Sequence, residues 1–84
     1  MNKKQRQTLH RIFERPERSD IPWTNIESLF IAFGAVISEG RGSRVRVALN
    51  DVRAVFHRPH PDRVTNKGAV KSVRRFLLEA GVMP

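Results

Sequence analysis

Two histidines and a row of arginines in the second half of the chain are the side chains best suited to chemistry. From Arg44 to His57, apolar and polar residues alternate on both sides of Asn50-Asp51, the pattern of two strands joined by a two-residue loop. With Asn50 and Asp51 as the loop, Leu49 faces Val52, Val47 faces Ala54 and Val45 faces Phe56, and these six form the core side. The other side carries Ala48 with Arg53, Arg46 with Val55, and Arg44 with His57. Arg44 and His57 are therefore expected as cross-strand neighbours, with Cβ atoms about 4.5–5.5 Å apart. An imidazole can transfer a proton near neutral pH, and a guanidinium can hold a phosphate or stabilise a phosphorane-like transition state. RNA cleavage through the 2′-hydroxyl needs both functions. The same pair also has a plainer reading, with His57 a surface histidine and Arg44 a phosphate anchor or a solvated residue.

His60 is a second acid–base candidate, held by the two prolines of His57-Arg58-Pro59-His60-Pro61. No carboxylate or cysteine falls at a recognised ligand spacing around the two histidines, so neither a metal site nor a cofactor is expected. Lys67, Lys71 and Arg74 recur at helical spacing and form a stripe able to grip phosphates. Arg41, Arg46, Arg53 and Arg58 complete the expected RNA-binding set, while His10 reads as an ordinary surface residue.

The elements that must position these residues follow from periodicity. Lys3 to Phe13 places Leu9, Ile12 and Phe13 at helical spacing. Arg15 to Pro22, with two prolines and no period, reads as a loop. A second helix is expected from Thr24, with Glu27 completing a capping box, Ile26, Leu29, Phe30 and Phe33 forming its stripe and Gly34 ending it. Trp23, just before it, reads as a core anchor rather than a base-stacking residue. Val36 and Ile37 begin a short strand that stops at Gly40-Arg41-Gly42, and the hairpin follows. Thr65 or Asn66 caps a last helix whose apolar face is Ala69, Val73, Phe76, Leu77 and Ala80, with Gly81 as its stop. The order is helix, helix, three strands, helix: an α+β fold in one domain spanning 1–84, with 1–20 a helical extension and loop and 21–84 the core.

The 84 residues carry sixteen Lys and Arg against eight Asp and Glu, a net charge of +8, and 39% are hydrophobic. That composition supports folding and excludes a disordered tail. The charge is concentrated. Residues 40–75 hold ten basic groups against Asp51 and Asp62, while residues 1–39 hold six basic and five acidic ones. A basic cluster of this kind is the electrostatic footprint of a nucleic-acid-binding surface. Membrane binding would want a basic amphipathic helix with exposed large apolar groups, and none is expected. The absence of cysteine excludes disulfides and thiolate chemistry. With neither an N-terminal apolar stretch nor a membrane-length one, a cytoplasmic location is expected.

From Ile26 through Gly81, about two thirds of the chain, the sequence resembles the HicA toxins. The resemblance rests on Leu29 to Phe33 with Gly34, the Gly40-Arg41-Gly42-Ser43 turn, the hairpin, Pro59-His60, Lys67-Gly68-Ala69-Val70, Ser72 to Leu77 and Ala80-Gly81. It implies a fold like a double-stranded-RNA-binding domain, with a three-stranded antiparallel sheet backed by helices. It implies a type II toxin that cleaves mRNA without metal and is neutralised by an acidic HicB-type antitoxin, as a monomer alone and in a higher assembly with that partner. It also implies a catalytic histidine directly after Gly42-Ser43, where this chain has Arg44. Either His57 supplies the imidazole, with His60 in reserve, or the protein binds double-stranded RNA without cutting it. A third reading is an interaction protein whose basic face docks an acidic partner.

Overall fold

The computed structural model describes all of residues 1–84. Its elements run α1 (Lys3–Ile12), β1 (Ile21–Pro22), α2 (Trp23–Ala32), β2 (Val36–Glu39), β3 (Arg44–Leu49), β4 (Val52–His57), β5 (Val64–Thr65) and α3 (Lys67–Glu79). Strands β2, β3 and β4 form an antiparallel sheet in that order, and β1 pairs with β5 in a separate two-stranded ladder. The fold is the small α+β arrangement expected, with helices on one face of a three-stranded sheet. No helix is long and apolar enough to cross a membrane.

Alternation decides which sheet face is covered. Val45, Val47, Leu49 and Phe56 are buried, while Arg44, Arg46, Arg53, Val55 and His57 are exposed. The core joins these strand residues to Leu9 and Ile12 of α1, Ile26, Leu29 and Phe30 of α2, and Val70, Val73, Phe76 and Leu77 of α3. Aromatic rings bind the layers together. Phe30, Phe56 and Phe76 contact one another with centroids 5.5–5.7 Å apart, and Trp23 packs on Phe30 and Phe56 at 6.4 and 5.8 Å. Trp23 is thus the core anchor that was expected.

Local signals at the element ends mostly act as read. The Asn2 side chain accepts from the Gln5 N–H to start α1, and Asn66 does the same with Ala69 at α3. Gly34 and Gly81, at φ +88° and +84°, end α2 and α3. In each, the following residue donates back to the last turn, Ala35 to the Phe30 carbonyl and Val82 to that of Leu77, the Schellman pattern. Asn50 and Asp51 both take positive φ, 49° and 67°, as a type I′ turn requires.

Three expectations are corrected. The stretch before α2 is not all loop, because Ile21–Pro22 pairs with Val64–Thr65. The helix begins at Trp23, whose backbone N–H donates to the Arg63 carbonyl at 2.9 Å. Thr24 therefore lies inside it, and Glu27 is bound to Arg58 and the Trp23 indole instead of closing a capping box. On α3, Val70 is buried where Ala69 is only half-buried.

Candidate nucleic-acid interface

The strand register places Arg44 opposite His57, Arg46 opposite Val55 and Ala48 opposite Arg53, the three outward pairs expected from the loop position. The pleat leaves Val36 and Ser38 of β2 on the same open face, beside Ala48 and Arg46. The face is thus a cationic lattice, set with Val36 at 69% and Val55 at 56% exposure. It has no Phe, Tyr or Trp side chain, since Phe56 of β4 and the rings of the helices pack in the core.

Backbone bonding draws the Arg44 and His57 side chains together. Arg44 donates its N–H to the Arg41 carbonyl (3.0 Å) and accepts from the Gly40 N–H (2.9 Å), both on the β2 side. One residue out, the Arg58 N–H donates to the Ser43 carbonyl at 2.9 Å. Arg44 and His57 are consequently a non-hydrogen-bonded pair, the type with the shorter Cα separation of about 4.5 Å. Gly40 permits this packing, because a Cβ there would stand 3.0 Å from the Arg44 Cβ and 3.3 Å from its carbonyl oxygen. The loop and strand then enclose a depression of about 290 Å³ lined by Gly40, Arg41, Arg44, Arg46 and Val55. Three guanidinium groups line this one concavity, and guanidinium donors are chemically suited to bidentate bonds with a phosphate oxyanion.

Arg58 has a different place from the one its charge suggested. Its Nε donates to Glu27 Oε2 at 2.7 Å, and its Nη1 and Nη2 donate to Glu39 at 2.6 and 2.8 Å. The bonds to Glu39 and then Glu27 raise the guanidinium pKa further, and Arg58 in turn holds the Glu39 carboxyl below the ordinary carboxylate range. With these donors occupied, Arg58 is a clamp that fixes the ends of β2 and β4 on either side of Arg44 and ties them to α2. It is not a free phosphate ligand.

Arg74 is the second correction. It is 6% exposed, and its guanidinium donates to the Ile12 carbonyl at 3.0 Å and to Glu17 Oε1 at 3.1 Å. It joins α3 to the end of α1 and the segment beyond. The signal was present in the sequence: Arg74 lies four residues after Val70 and three before Leu77, on the buried face. The exposed cationic line of α3 runs instead through Lys67, Lys71 and Arg75, and Arg75 was missing from the expected set. His60 is exposed in the loop from β4 to β5, with no hydrogen bond or ion pair to Arg44 or His57. Arg41, Arg46, Arg53, Lys67 and Lys71 are all exposed and outside every ion pair.

No curated protein and no solved structure matches the chain. A sequence model of a protein family does, that of the HicA toxin of bacterial toxin–antitoxin systems, over residues 23–82. The match starts at the first residue of α2 and runs past the end of α3, so it takes in the whole sheet with its open face and both flanking helices. With 60 of 84 residues so matched, the chain belongs to the HicA toxin family, the toxin half of a bacterial toxin–antitoxin pair.

Proposed function

We propose that the protein is an endoribonuclease that cleaves mRNA on the open face of its sheet without a metal ion. The observation that carries this reading is the close cross-strand pairing of Arg44 with His57 beside a depression ringed by Arg41, Arg44 and Arg46. The scissile phosphate sits over the depression, with Arg46 and Arg53 holding the flanking backbone. The His57 imidazole takes the proton of the 2′-hydroxyl, whose oxygen attacks the adjacent phosphorus. Arg44 stabilises the extra charge on the phosphorane oxygens. The bond to the 5′-oxygen breaks, that oxygen takes up a proton, and a 2′,3′-cyclic phosphate is left on the other fragment. His60, exposed in the loop from β4 to β5, is the reserve acid–base group. The exposed arginines of the face hold the RNA chiefly by its phosphates.

The antitoxin, an acidic protein of the HicB type, neutralises the toxin by covering this face. Val36 and Val55 give it apolar anchors between the arginines, and opposite charge speeds capture. The toxin is a cytoplasmic monomer before capture and part of a larger assembly after it. One observation favours a second reading. Arg44 occupies the position after Gly42-Ser43 where the family resemblance implies a histidine, which fits a protein that binds double-stranded RNA and does not cut it. Incubating the purified chain with RNA in excess EDTA separates the two. Cleavage with cyclic-phosphate ends is the expected result, whereas tight binding with intact RNA establishes the second.

A further inference from the structure

A free cationic patch outside the sheet lies on the helix layer, between the N-terminal segment and α3. Arg15, Lys71 and Arg75 are exposed there and line a hollow of about 330 Å³ together with Glu17, Arg74 and Leu78. Lys71 and Arg75 are four residues apart, which places their Cβ atoms about 5–6 Å apart on one helix face. Lys67 continues the line by one more turn. The floor is rigid, since Arg74 is buried and bonded to Ile12 and Glu17. The Glu17 carboxylate is already bonded by Arg74, and its pKa is lowered by a backbone hydrogen bond and then by Arg74. Arg15, Lys71 and Arg75 form no ion pair with any carboxylate of the chain. The hollow therefore presents three cations outside any ion pair, and Leu78 is the one hydrophobic residue in its lining. A protein-binding patch would instead have an apolar, charge-depleted centre.

We propose that this hollow is a second phosphate-binding surface, which takes the sugar–phosphate backbone of RNA that extends past the sheet face. The inference rests on RNA being the ligand of that face. It gives the N-terminal segment a function, because Arg15 and Glu17 precede the family match, which begins at residue 23. The helices back the covered side of the sheet, so the hollow and the open face lie on different layers of a molecule 21 Å across its shortest dimension. A long RNA wraps the molecule to reach both.

The test is binding of long 2′-O-methyl oligouridine, which has no free 2′-hydroxyl to attack the phosphate, to the full chain, followed by fluorescence anisotropy across a salt series. The wild type is compared with the triple variant R15Q/K71Q/R75Q and with R44Q/R46Q/R53Q, and unchanged circular dichroism melting controls for folding. Each phosphate contact to a single strand contributes about 0.7 to the log–log salt slope, so the hollow variant should flatten that slope by about 2. Its loss of affinity should be the same for a mixed-sequence RNA. If the hollow variant binds like the wild type while the sheet variant is weakened, this inference is overturned and the sheet-face reading stands. If neither variant loses affinity, both are overturned. If the hollow variant keeps RNA but loses polyglutamate, the surface serves an acidic protein and the inference fails.

Discussion

Replacing Arg74 by Ala should unfold the protein more readily without acting through RNA. The side chain is 6% exposed and donates to the Ile12 carbonyl at 3.0 Å. A hydrogen bond from a charged group contributes about 1.5–3 kcal/mol. The methylenes removed with it add about 0.8 kcal/mol each if fully buried. Together the loss is roughly 3–5 kcal/mol, a large share of the about 5–15 kcal/mol that holds a domain of this kind together. For a domain of this size about 1 kcal/mol corresponds to some 4–8 °C in Tm, so thermal melting followed by circular dichroism should show a fall of at least about 12 °C. The double variant R74M/E17Q should recover part of it, since removing both partners leaves no unpaired buried charge. An R74A protein that melts within a few degrees of the wild type and binds RNA much more weakly would refute the reasoning and return Arg74 to the phosphate ligands.

Gly40→Ala should leave the fold intact but weaken RNA binding and cleavage together, because the new Cβ would lie 3.0 Å from that of Arg44; unchanged activity would show that Arg44 can move without consequence. Asp51→Gly should raise stability by several tenths of a kcal/mol, since Asp51 sits at φ 67° in a turn that favours Asn-Gly, and a lower denaturation midpoint would contradict it. On acidification, stability should fall. The carboxyls of Glu17, Asp20 and Glu39 have folded pKa values below their ordinary ones, through a backbone bond and Arg74, through Arg18, and through Arg58 respectively. The unfolded chain thus binds protons first, and the stability these groups give is complete above the ordinary carboxylate range and lost as pH falls through the depressed values. Denaturant midpoints that stay level on going from neutral pH to well below that range would count against these pairings.

The hairpin was legible because a period-two pattern on both sides of two turn-forming residues allows one register, and a slip by one residue would turn the arginines into the core. The short β1–β5 ladder was not. Ile21-Pro22 and Val64-Thr65 are distant in sequence, and two residues carry no period. Missing that ladder also misplaced the start of α2, since it brings the Arg63 carbonyl to the Trp23 N–H. Charge counting located the basic half of the chain but not which arginines are free. Arg58 and Arg74 are engaged by carboxylates and carbonyls from other elements, partners 19 and 31 residues from Arg58 and 57–62 from Arg74, and only the burial phase of α3 gave a local hint for Arg74. The Arg44–His57 pair needed no such long-range partner, which is why it could be read directly.

The proposed chemistry rests on the imidazole of that pair. His57 is exposed at the end of β4, so His57→Ala should melt like the wild type and bind RNA with nearly the same affinity. Its rate of RNA cleavage in EDTA should drop by about 10²–10⁴, the usual contribution of a positioned general base. A His57→Ala protein that cuts RNA at the wild-type rate would contradict the assignment of the general base to His57.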